Sequence, residues 1–230
     1  MRIIFIRHGE PDYKNDCLTE IGRRQADLAA ERLQDEGIEE IWSSPLGRAY
    51  ETAEAASKLF GLPIRMLECM KEVRWGGTDG SELYHHGHPW DIVDEMAKQG
   101  MELNTPKWRE GPYFKTNSVV ECVEDVESGI DEWLAGLGYM RDGLYYRHTI
   151  SEESHRTIAL FCHGGSSSAA IGHIMNIPFP YVCAMLHMEF TGITILRFDR
   201  HAGAGTLPCM ELANDGRHIR EGKYHRLDNK

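Results

Sequence analysis

The chain has 230 residues, of which 41% are hydrophobic and 27% are charged, a composition typical of a soluble globular protein. Its formal net charge of -11 argues against nucleic acid or an anionic membrane surface as a partner, because both attract basic proteins. No apolar run approaches the roughly 18 residues that span a bilayer, and Arg7 and His8 interrupt the first apolar stretch before it reaches the length of a signal peptide, so we expect a cytoplasmic protein.

Strand and helix patterns alternate through the first part of the chain, which is typical of a layered α/β fold. The segment 2–6 (RIIFI) is a continuous apolar run, as expected for a strand that is buried on both faces. A helical pattern follows over 18–37, with Thr19 as its cap and Gly37 at its far end. The next predicted elements are a strand at 38–44, a helix at 46–61 opened by the cap Ser44 and the first-turn proline Pro45, and a strand at 63–67.

The pattern decays over 76–117, a stretch that contains Gly, His, Trp and Pro and that we interpret as an insertion over the sheet. Helical spacing returns after Ser118, which is predicted to form a capping box with Glu121, and Gly138 ends this helix. The last predicted elements are a strand at 157–162, a helix at 166–178 and a strand at 193–198.

Together these elements predict a single α/β domain over 1–230, a three-layer sandwich with a mostly parallel central sheet flanked by helices, plus an inserted cap region at about 76–118. The segment 139–156 is compatible with a β-hairpin, a loop or part of an interface. The segment 211–230 is too polar for the core, and His218 within it is expected in a solvated tail, with the pocket rim as the alternative. The six cysteines are scattered and are predicted to be reduced.

Two of the predicted strands end in a histidine that is followed by glycine, in RHG (7–9) and in CHGG (162–165). Ligands of open α/β sheets bind outside the carboxyl ends of the strands, so parallel strands would bring His8 and His163 together. The adjacent glycines, Gly9 and Gly164, would let backbone N–H groups approach a bound group closely. Either histidine alone is more readily explained as structural, and only the pair favours a functional site.

Two arginines extend this pattern. Arg7 precedes His8, and Arg48 lies in the first turn of the helix at 46–61, where the helix dipole favours an anion, although a solvated helix position would also explain it. A phosphoryl group suits two arginines and two histidines best, because arginine binds phosphate oxygens in a bidentate manner.

In these residues the chain resembles the histidine phosphatases, also called the phosphoglycerate mutase-like superfamily. The resemblance covers most of the chain outside the insertion, and its five segments occur in the family's order. They are RHGE (7–10), LTEIGRRQA (18–26), SSPLGRAYETA (43–53), EVRWGG (72–77) and CHGG (162–165).

The resemblance implies that His8 is a nucleophile that becomes phosphohistidine, while Arg7, Arg48 and His163 stabilise the charged transition state. It places the general acid, and later the base, at Glu72, with Glu68 as the alternative. A solvated carboxylate beside a strand end is the other interpretation of Glu72.

Phosphate contacts are expected from five residues, Arg7, Gly9, Asn15, Arg48 and Gly164. Mutases of the family carry an asparagine where this chain has Lys14, with Asn15 beside it. Ser166 is either a further phosphate contact through its hydroxyl or an ordinary helix cap.

The insertion contains His85, His86 and His88 within a short loop, but adjacent histidines rarely chelate one ion, so we predict no metal and no cofactor. The aromatic residues of this region could wall the substrate pocket or form a small core of their own; they are Trp75, Tyr84, Trp90, Trp108 and Tyr113.

Three functions are compatible with these residues. The first is a metal-independent phosphatase that acts on a small phosphorylated substrate, which is favoured because the stretch 79–117 holds seven acidic residues against four basic ones. The second is a phosphosugar or phosphoglycerate mutase with the same nucleophile, and the third is a non-catalytic member that binds a phosphorylated ligand. A homodimer is a further partner that the sequence leaves open.

Overall fold

The computed structural model describes residues 1–220, and the end of the predicted tail lies outside the described residues. The strands are β1 (Arg2–Arg7), β2 (Pro11–Asp12), β3 (Cys17–Leu18), β4 (Glu40–Ser43), β5 (Ile64–Met66), β6 (Tyr139–Asp142), β7 (Tyr145–His148), β8 (Thr157–Cys162), β9 (Ile193–Arg197), β10 (Gly205–Thr206) and β11 (Cys209–Asp215). The helices are α1 (Glu20–Arg32), α2 (Gly47–Phe60), α3 (Pro89–Lys98), α4 (Val119–Gly136), α5 (Gly164–Met175), α6 (Phe179–Met185) and α7 (Arg217–Arg220).

A six-stranded mixed sheet with the order β11-β9-β1-β8-β4-β5 forms the centre of the fold. The strands β1, β8, β4 and β5 are parallel, whereas β9 runs antiparallel to β1, and β11 runs antiparallel to β9. The predicted α/β fold with a mostly parallel sheet flanked by helices is therefore confirmed. Arg7 lies opposite Cys162 in the parallel register, so the ends of β1 and β8 are side by side.

The side chains of β1 alternate between two hydrophobic cores, one on each face of the sheet. Ile3 and Phe5 pack with residues of α3, α4 and α5, whereas Ile4 and Ile6 pack with residues of α1 and α2. Because helices cover both faces, every residue of β8 is buried, which accounts for its continuous apolar sequence. The six cysteines are free thiols, as predicted. No helix within residues 1–220 is long and apolar enough to cross a membrane.

The predicted helix caps are partly wrong. Thr19 caps α1 as expected. Ser44 does not cap α2, whose amino-terminal flanking residue is Leu46. Ser118 forms no capping bond either, because the Oδ1 atom of Asn117 accepts the N–H of Val119 at 3.1 Å instead. The error at Ser44 arises because its hydroxyl lies 2.8 Å from the Nε2 atom of His163, a partner that the sequence does not reveal.

The stretch 76–118 adds no strand to the central sheet and holds α3 with two short 3-10 turns, at Tyr84–Gly87 and Trp108–Glu110. Its two ends are tied together, because the N–H of Gly76 donates to Asn117 Oδ1 at 3.3 Å and the carbonyl of Gly76 accepts from Ser118 N–H at 2.9 Å. The ten residues of α3 are too few for their apolar positions to show a sustained period in sequence. The division of the chain into one domain with a cap at about 76–118 stays a prediction.

The strands β6 and β7 form a β-hairpin, which decides among the alternatives for the first part of 139–156. The expectation of a solvated tail from residue 211 is wrong for the part that the structure describes. β11 is an edge strand of the central sheet with alternating exposed and part-buried residues, so its polar composition reflects one face in water. His218 is also held in place, because its Nε2 atom lies 3.0 Å from Thr191 Oγ1.

Candidate active site

The structure brings the two predicted histidines together at the carboxyl ends of β1 and β8. Their ring centroids are 5.1 Å apart, and the rings are inclined by 60°. Both side chains are buried, with exposed fractions of 1% for His8 and 0% for His163. The N–H of His8 donates to the carbonyl of Cys162 at 2.9 Å, which fixes the end of β1 against β8.

The protonation of His8 follows from its neighbours. Its Nδ1 atom lies 2.7 Å from the carbonyl oxygen of Gly9, which can only accept, so Nδ1 carries the proton. Nε2 therefore keeps its lone pair, and the Nε atom of Arg48 donates toward it across 3.4 Å. Burial, followed by the charge of Arg7, lowers the pKa of His8 well below its ordinary value of 6.5. Near pH 7 the ring is neutral, and Nε2 is free to act as a nucleophile.

His163 is oriented by a serine that the sequence suggested only as a helix cap. Ser44 Oγ lies 2.8 Å from the Nε2 atom of His163 and also accepts the N–H of Leu46 at 3.3 Å. Its hydroxyl proton is therefore free to donate to Nε2, which leaves the ring proton on Nδ1. Burial, followed by the charges of His8 and the two arginines, lowers the pKa of His163 well below 6.5. A neutral His163 can thus offer an N–H group to a bound anion.

Arg7 is held by the chain after α6. One Nη atom donates to the carbonyl of Met188 at 2.6 Å, and the guanidinium carbon lies 4.4 Å from the ring centroid of Phe190. Phe190 also packs beside His8, with 5.7 Å between ring centroids. Burial lowers the pKa of Arg7 below its usual value, and the carboxylate of Glu72 opposes that shift.

Arg48 is held by Asp16, a residue that sequence reasoning missed. One carboxylate oxygen of Asp16 forms an ion pair with the Arg48 guanidinium, and the other accepts the N–H of Gly47 at 2.7 Å. Asp16 has a positive φ of 49° in the loop before β3. No motif distinguished this loop aspartate, and only the folded chain places it against the start of α2.

Glu72 lies against the amino-terminal end of α5. Its Oε1 atom accepts the N–H groups of Val73, Gly165 and Ser166, each at 3.0 Å. A Cβ atom at Gly165 would lie 2.7 Å from Glu72 Oε1, so glycine is required there for the close approach of the carboxylate. The second glycine of CHGG therefore serves Glu72 rather than a phosphate.

The carboxyl group of Glu72 is suited to proton transfer. Burial raises its pKa above the usual 4.5, and Arg7 is the main group that opposes this shift. Within residues 1–220 its Oε2 atom has no hydrogen-bond partner, so that oxygen is free to exchange a proton. The alternative, Glu68, is exposed and forms an ion pair with Lys71 at 2.9 Å.

Two of the predicted phosphate contacts, Gly9 and Asn15, have hydrogen-bond partners within the protein. The N–H of Gly9 donates to Thr52 Oγ1 at 3.1 Å, and glycine is needed there because a Cβ atom would lie 2.5 Å from the carbonyl oxygen of Gly22. Asn15 is exposed, and its amide donates to Asp12 at 2.7 Å. Both residues were inferred from adjacency in sequence, but the first is used in packing and the second in a surface turn.

Gly164 and Ser166, two further candidate phosphate contacts, lie at the start of α5. This helix begins two residues earlier than predicted. A Cβ atom at Gly164 would lie 3.7 Å from Arg7 Nε, so this helix terminus is beside the guanidinium. Ser166 does not cap the helix and is buried within its first turn. Its hydroxyl has no partner in the part of the chain that the structure describes.

Several polar atoms around the two histidines lack partners. Within residues 1–220 the buried atoms Arg7 Nε, His163 Nδ1 and Ser166 Oγ make no hydrogen bond. Buried polar groups are normally hydrogen-bonded, so unpaired donors at a site are suited to bind a polar ligand. Each of these atoms can donate a hydrogen bond, and the start of α5 adds the positive end of a helix dipole. The site therefore fits an oxyanion such as a phosphoryl group.

The aromatic residues of the insertion divide between the two predicted roles. Trp108 is buried against Phe114 and Phe179. Trp90 instead lies beside the start of α5 and contacts Trp75 with ring centroids 6.5 Å apart.

The histidine loop is held by one carboxylate. Nδ1 of His88 lies 2.8 Å from Asp91 and Nδ1 of His85 lies 3.4 Å from the same oxygen, while His86 is exposed. Among residues 1–220 no group of side chains is arranged to hold a metal ion.

Comparison with known proteins identifies the family. The model of the histidine phosphatase superfamily, branch 1, matches residues 3–207. A putative phosphoserine phosphatase 2 from Hydrogenobacter thermophilus is 23% identical, with 86% of this chain and 90% of the relative covered. A 2,3-bisphosphoglycerate-dependent phosphoglycerate mutase from Thermoplasma acidophilum is 34% identical over 65% of this chain and 78% of its own length.

Solved structures share the fold. A phosphoserine phosphatase from Entamoeba histolytica in complex with 3-phosphoglyceric acid superposes with a TM-score of 0.62 at 22% identity, covering 94% of this chain and 98% of its own. A mycobacterial glucosyl-3-phosphoglycerate phosphatase in complex with inorganic phosphate gives a TM-score of 0.62 at 25% identity, covering 95% and 99% of the two chains.

Proposed function

The chain belongs to the histidine phosphatase superfamily, and from this premise we propose that it is a metal-independent phosphatase that hydrolyses phosphate monoesters through a phosphohistidine at His8. The observation that supports this proposal best is the protonation state of His8 and its burial. Its Nδ1 proton is bound to the Gly9 carbonyl, and its Nε2 lone pair faces Arg48 in a buried site. A ligand-binding site would need the cations but not a nucleophilic nitrogen held in this form.

In the first step Nε2 of His8 forms a bond to phosphorus while the bond from phosphorus to the ester oxygen breaks. Glu72 transfers its proton to the departing oxygen, which leaves as an alcohol. Arg7 and Arg48 stabilise the charge on the phosphoryl oxygens, and His163 donates its N–H to the same group. The ring of phosphorylated His8 is positively charged, and the Gly9 carbonyl stabilises that charge through its hydrogen bond from Nδ1.

In the second step a water molecule attacks phosphorus, and ionised Glu72 accepts its proton. The bond from phosphorus to Nε2 then breaks, which releases inorganic phosphate and returns His8 to its neutral form. The raised pKa of Glu72 suits both steps, because a carboxyl group whose pKa lies nearer neutrality can serve as acid and then as base.

Charge favours hydrolysis over mutase chemistry. A mutase must retain a phosphorylated acid through two transfers, and the net acidic insertion would repel such an anion. Lys14, which replaces the asparagine of the mutases, is exposed in the loop before β3. Because the relatives include both phosphatases and a mutase, the experiment must distinguish the two activities.

The test is release of inorganic phosphate from a panel of phosphate monoesters in the presence of EDTA. The parent protein is compared with His8→Ala and with His155→Ala, a matched control at an exposed histidine. We expect release by the parent and the control and none by His8→Ala. Interconversion of 2- and 3-phosphoglycerate without net release would favour the mutase, and equal release by all three proteins would show that His8 is not the nucleophile.

A further inference from the structure

Beside the reactive histidines lies an aromatic cluster, which we define as Trp75, His88 and Trp90. The ring centroid of Trp75 is 5.0 Å from that of His88 and 6.5 Å from that of Trp90, both in edge-on contacts. A Cβ atom at Gly165 would lie 3.4 Å from Trp90, so the cluster reaches the helix terminus that holds Glu72. Trp75 is 40% exposed, so part of its ring remains open to a ligand.

An aromatic ring also lies at the two arginines. The ring centroid of Tyr13 is 5.4 Å from the guanidinium carbon of Arg48, and Tyr13 also interacts with Arg7. Tyr13 is 66% exposed, so most of its side chain is in contact with water. Aromatic side chains of the loop before β3 and of the insertion therefore lie beside the residues that surround His8.

Few cations near this surface could bind a second anionic group: Lys14 and Arg74 are next to Tyr13 and Trp75 in sequence but are exposed to water, where salt screens their charge. Arg7 and Arg48 are the cations that act on the pKa of His8 and of Glu72, and the proposed reaction uses both for the phosphoryl group. The basic member of the cluster, His88, is bound to Asp91, so that pair carries no net positive charge. The stretch 79–117 adds seven acidic residues against four basic ones. A carboxylate or a second phosphate on the leaving group would meet repulsion here.

From this geometry we infer that the leaving group of the substrate is uncharged and carries an aromatic ring, which packs against Trp75 and Trp90. The inference rests on the proposed function, because it concerns the alcohol that is released from the same site. The inferred leaving group differs from that of 3-phosphoglyceric acid, the ligand of the structurally similar phosphoserine phosphatase from Entamoeba histolytica.

The first test compares 2-phenylethyl phosphate, glycerol 3-phosphate and 3-phosphoglycerate. The first two both release a primary alcohol, so their chemical reactivity is similar and a difference reports recognition. We expect kcat/KM to be at least about 10-fold higher for the phenylethyl ester than for the glycerol ester, and lowest for 3-phosphoglycerate. Preference for 3-phosphoglycerate, or equal values for the first two esters, would overturn the inference.

The second test removes one ring. In Trp75→Leu the ratio of kcat/KM for the phenylethyl ester to that for the glycerol ester should fall by about 3- to 10-fold. Tyr84→Leu is the matched control, because Tyr84 is also an aromatic residue of the insertion with 40% exposure but stacks on His85 outside the cluster. An equal ratio in the two variants would contradict the assignment.

A binding measurement separates this inference from the proposed function. Calorimetry on the parent protein compares 3-phenylpropylphosphonate with 3,4-dihydroxybutylphosphonate, whose carbon–phosphorus bonds resist hydrolysis. Tighter binding of the phenyl compound with no ester hydrolysed would refute the phosphatase and retain the aromatic site. Equal binding together with turnover that depends on His8 would refute the aromatic site and retain the phosphatase.

Discussion

Replacement of Glu72 by glutamine tests the proton transfer without disturbing its surroundings. The Oε1 atom of Glu72 accepts three backbone N–H groups, from Val73, Gly165 and Ser166, and a glutamine carbonyl can accept the same three. The start of α5 should therefore keep its position. What Glu72→Gln loses is the proton on the other oxygen, which no residue within 1–220 binds.

The magnitude follows from the leaving group. General acid catalysis contributes about 10²- to 10⁴-fold, or about 3–5 kcal/mol of barrier. An alkoxide leaves poorly without a proton, so kcat/KM of Glu72→Gln for glycerol 3-phosphate should fall by that factor. For 4-nitrophenyl phosphate the departing phenolate is stable on its own, so the first step should change by less than about 10-fold. With this ester the variant should instead accumulate phosphohistidine, because Glu72 no longer activates water.

The assay is initial rates on both esters across pH, together with the mass gain of one phosphoryl group after rapid mixing. In the parent, kcat/KM should fall as the pH rises through the raised pKa of Glu72, because the acid form is then lost. That alkaline limb should be absent in Glu72→Gln. Glu68→Gln is the matched control at an exposed carboxylate. Equal losses on both esters, or a loss only in Glu68→Gln, would refute the assignment of the acid.

Two further predictions concern residues that hold the site and the fold. Asp16→Asn removes the ion pair that orients Arg48 and should lower both kcat/KM and the affinity for inorganic phosphate by about 10-fold. Inhibition by inorganic phosphate measures the affinity, and an unchanged inhibition constant would contradict the role of Asp16. The side chain of Asp215 is 3% exposed, and the hydrogen bonds from Arg217 are the main reason that the pKa of Asp215 is lowered. Asp215→Asn should therefore lower the free energy of unfolding, measured in urea at pH 7, by about 1–3 kcal/mol. The lowered pKa stabilises the fold fully only above the pKa of an unfolded aspartate, about 3.9. The difference in free energy of unfolding between the parent and Asp215→Asn should therefore shrink as the pH falls below about 4. A difference that stays constant with pH would contradict this origin.

The order of the main elements and the two candidate histidines could be predicted because they are local properties of the sequence. A buried strand that ends in histidine and glycine is visible twice, and parallel pairing of such strands brings His8 and His163 together. Arg48 was also predictable, because its place in a first helical turn needs only the helix boundary. The hydrophobic pattern indicates the two strands, because a continuous apolar run is typical of a strand that is buried on both faces of a sheet.

The partners of those residues were decided by the tertiary structure. Ser44 hydrogen bonds to His163, which lies far from it in sequence, and Asp16 holds Arg48 from a loop that carries no motif. The packing of Gly9 on α1 and the surface turn closed by Asn15 could not be predicted, because sequence adjacency does not reveal either contact.

The sequence by itself thus determined the class of fold and indicated His8 as the candidate nucleophile, because these inferences depend on periodicity and on residue type at strand ends. Only the tertiary structure decided the proton positions on the two histidines, the placement of Glu72 at the start of α5 and the aromatic surface that includes Trp75. Most of these features depend on contacts between residues that lie apart in sequence, from 15 positions for Trp75 and Trp90 to 93 for Glu72 and Gly165, and such contacts exist only when the sheet and its helices have assembled.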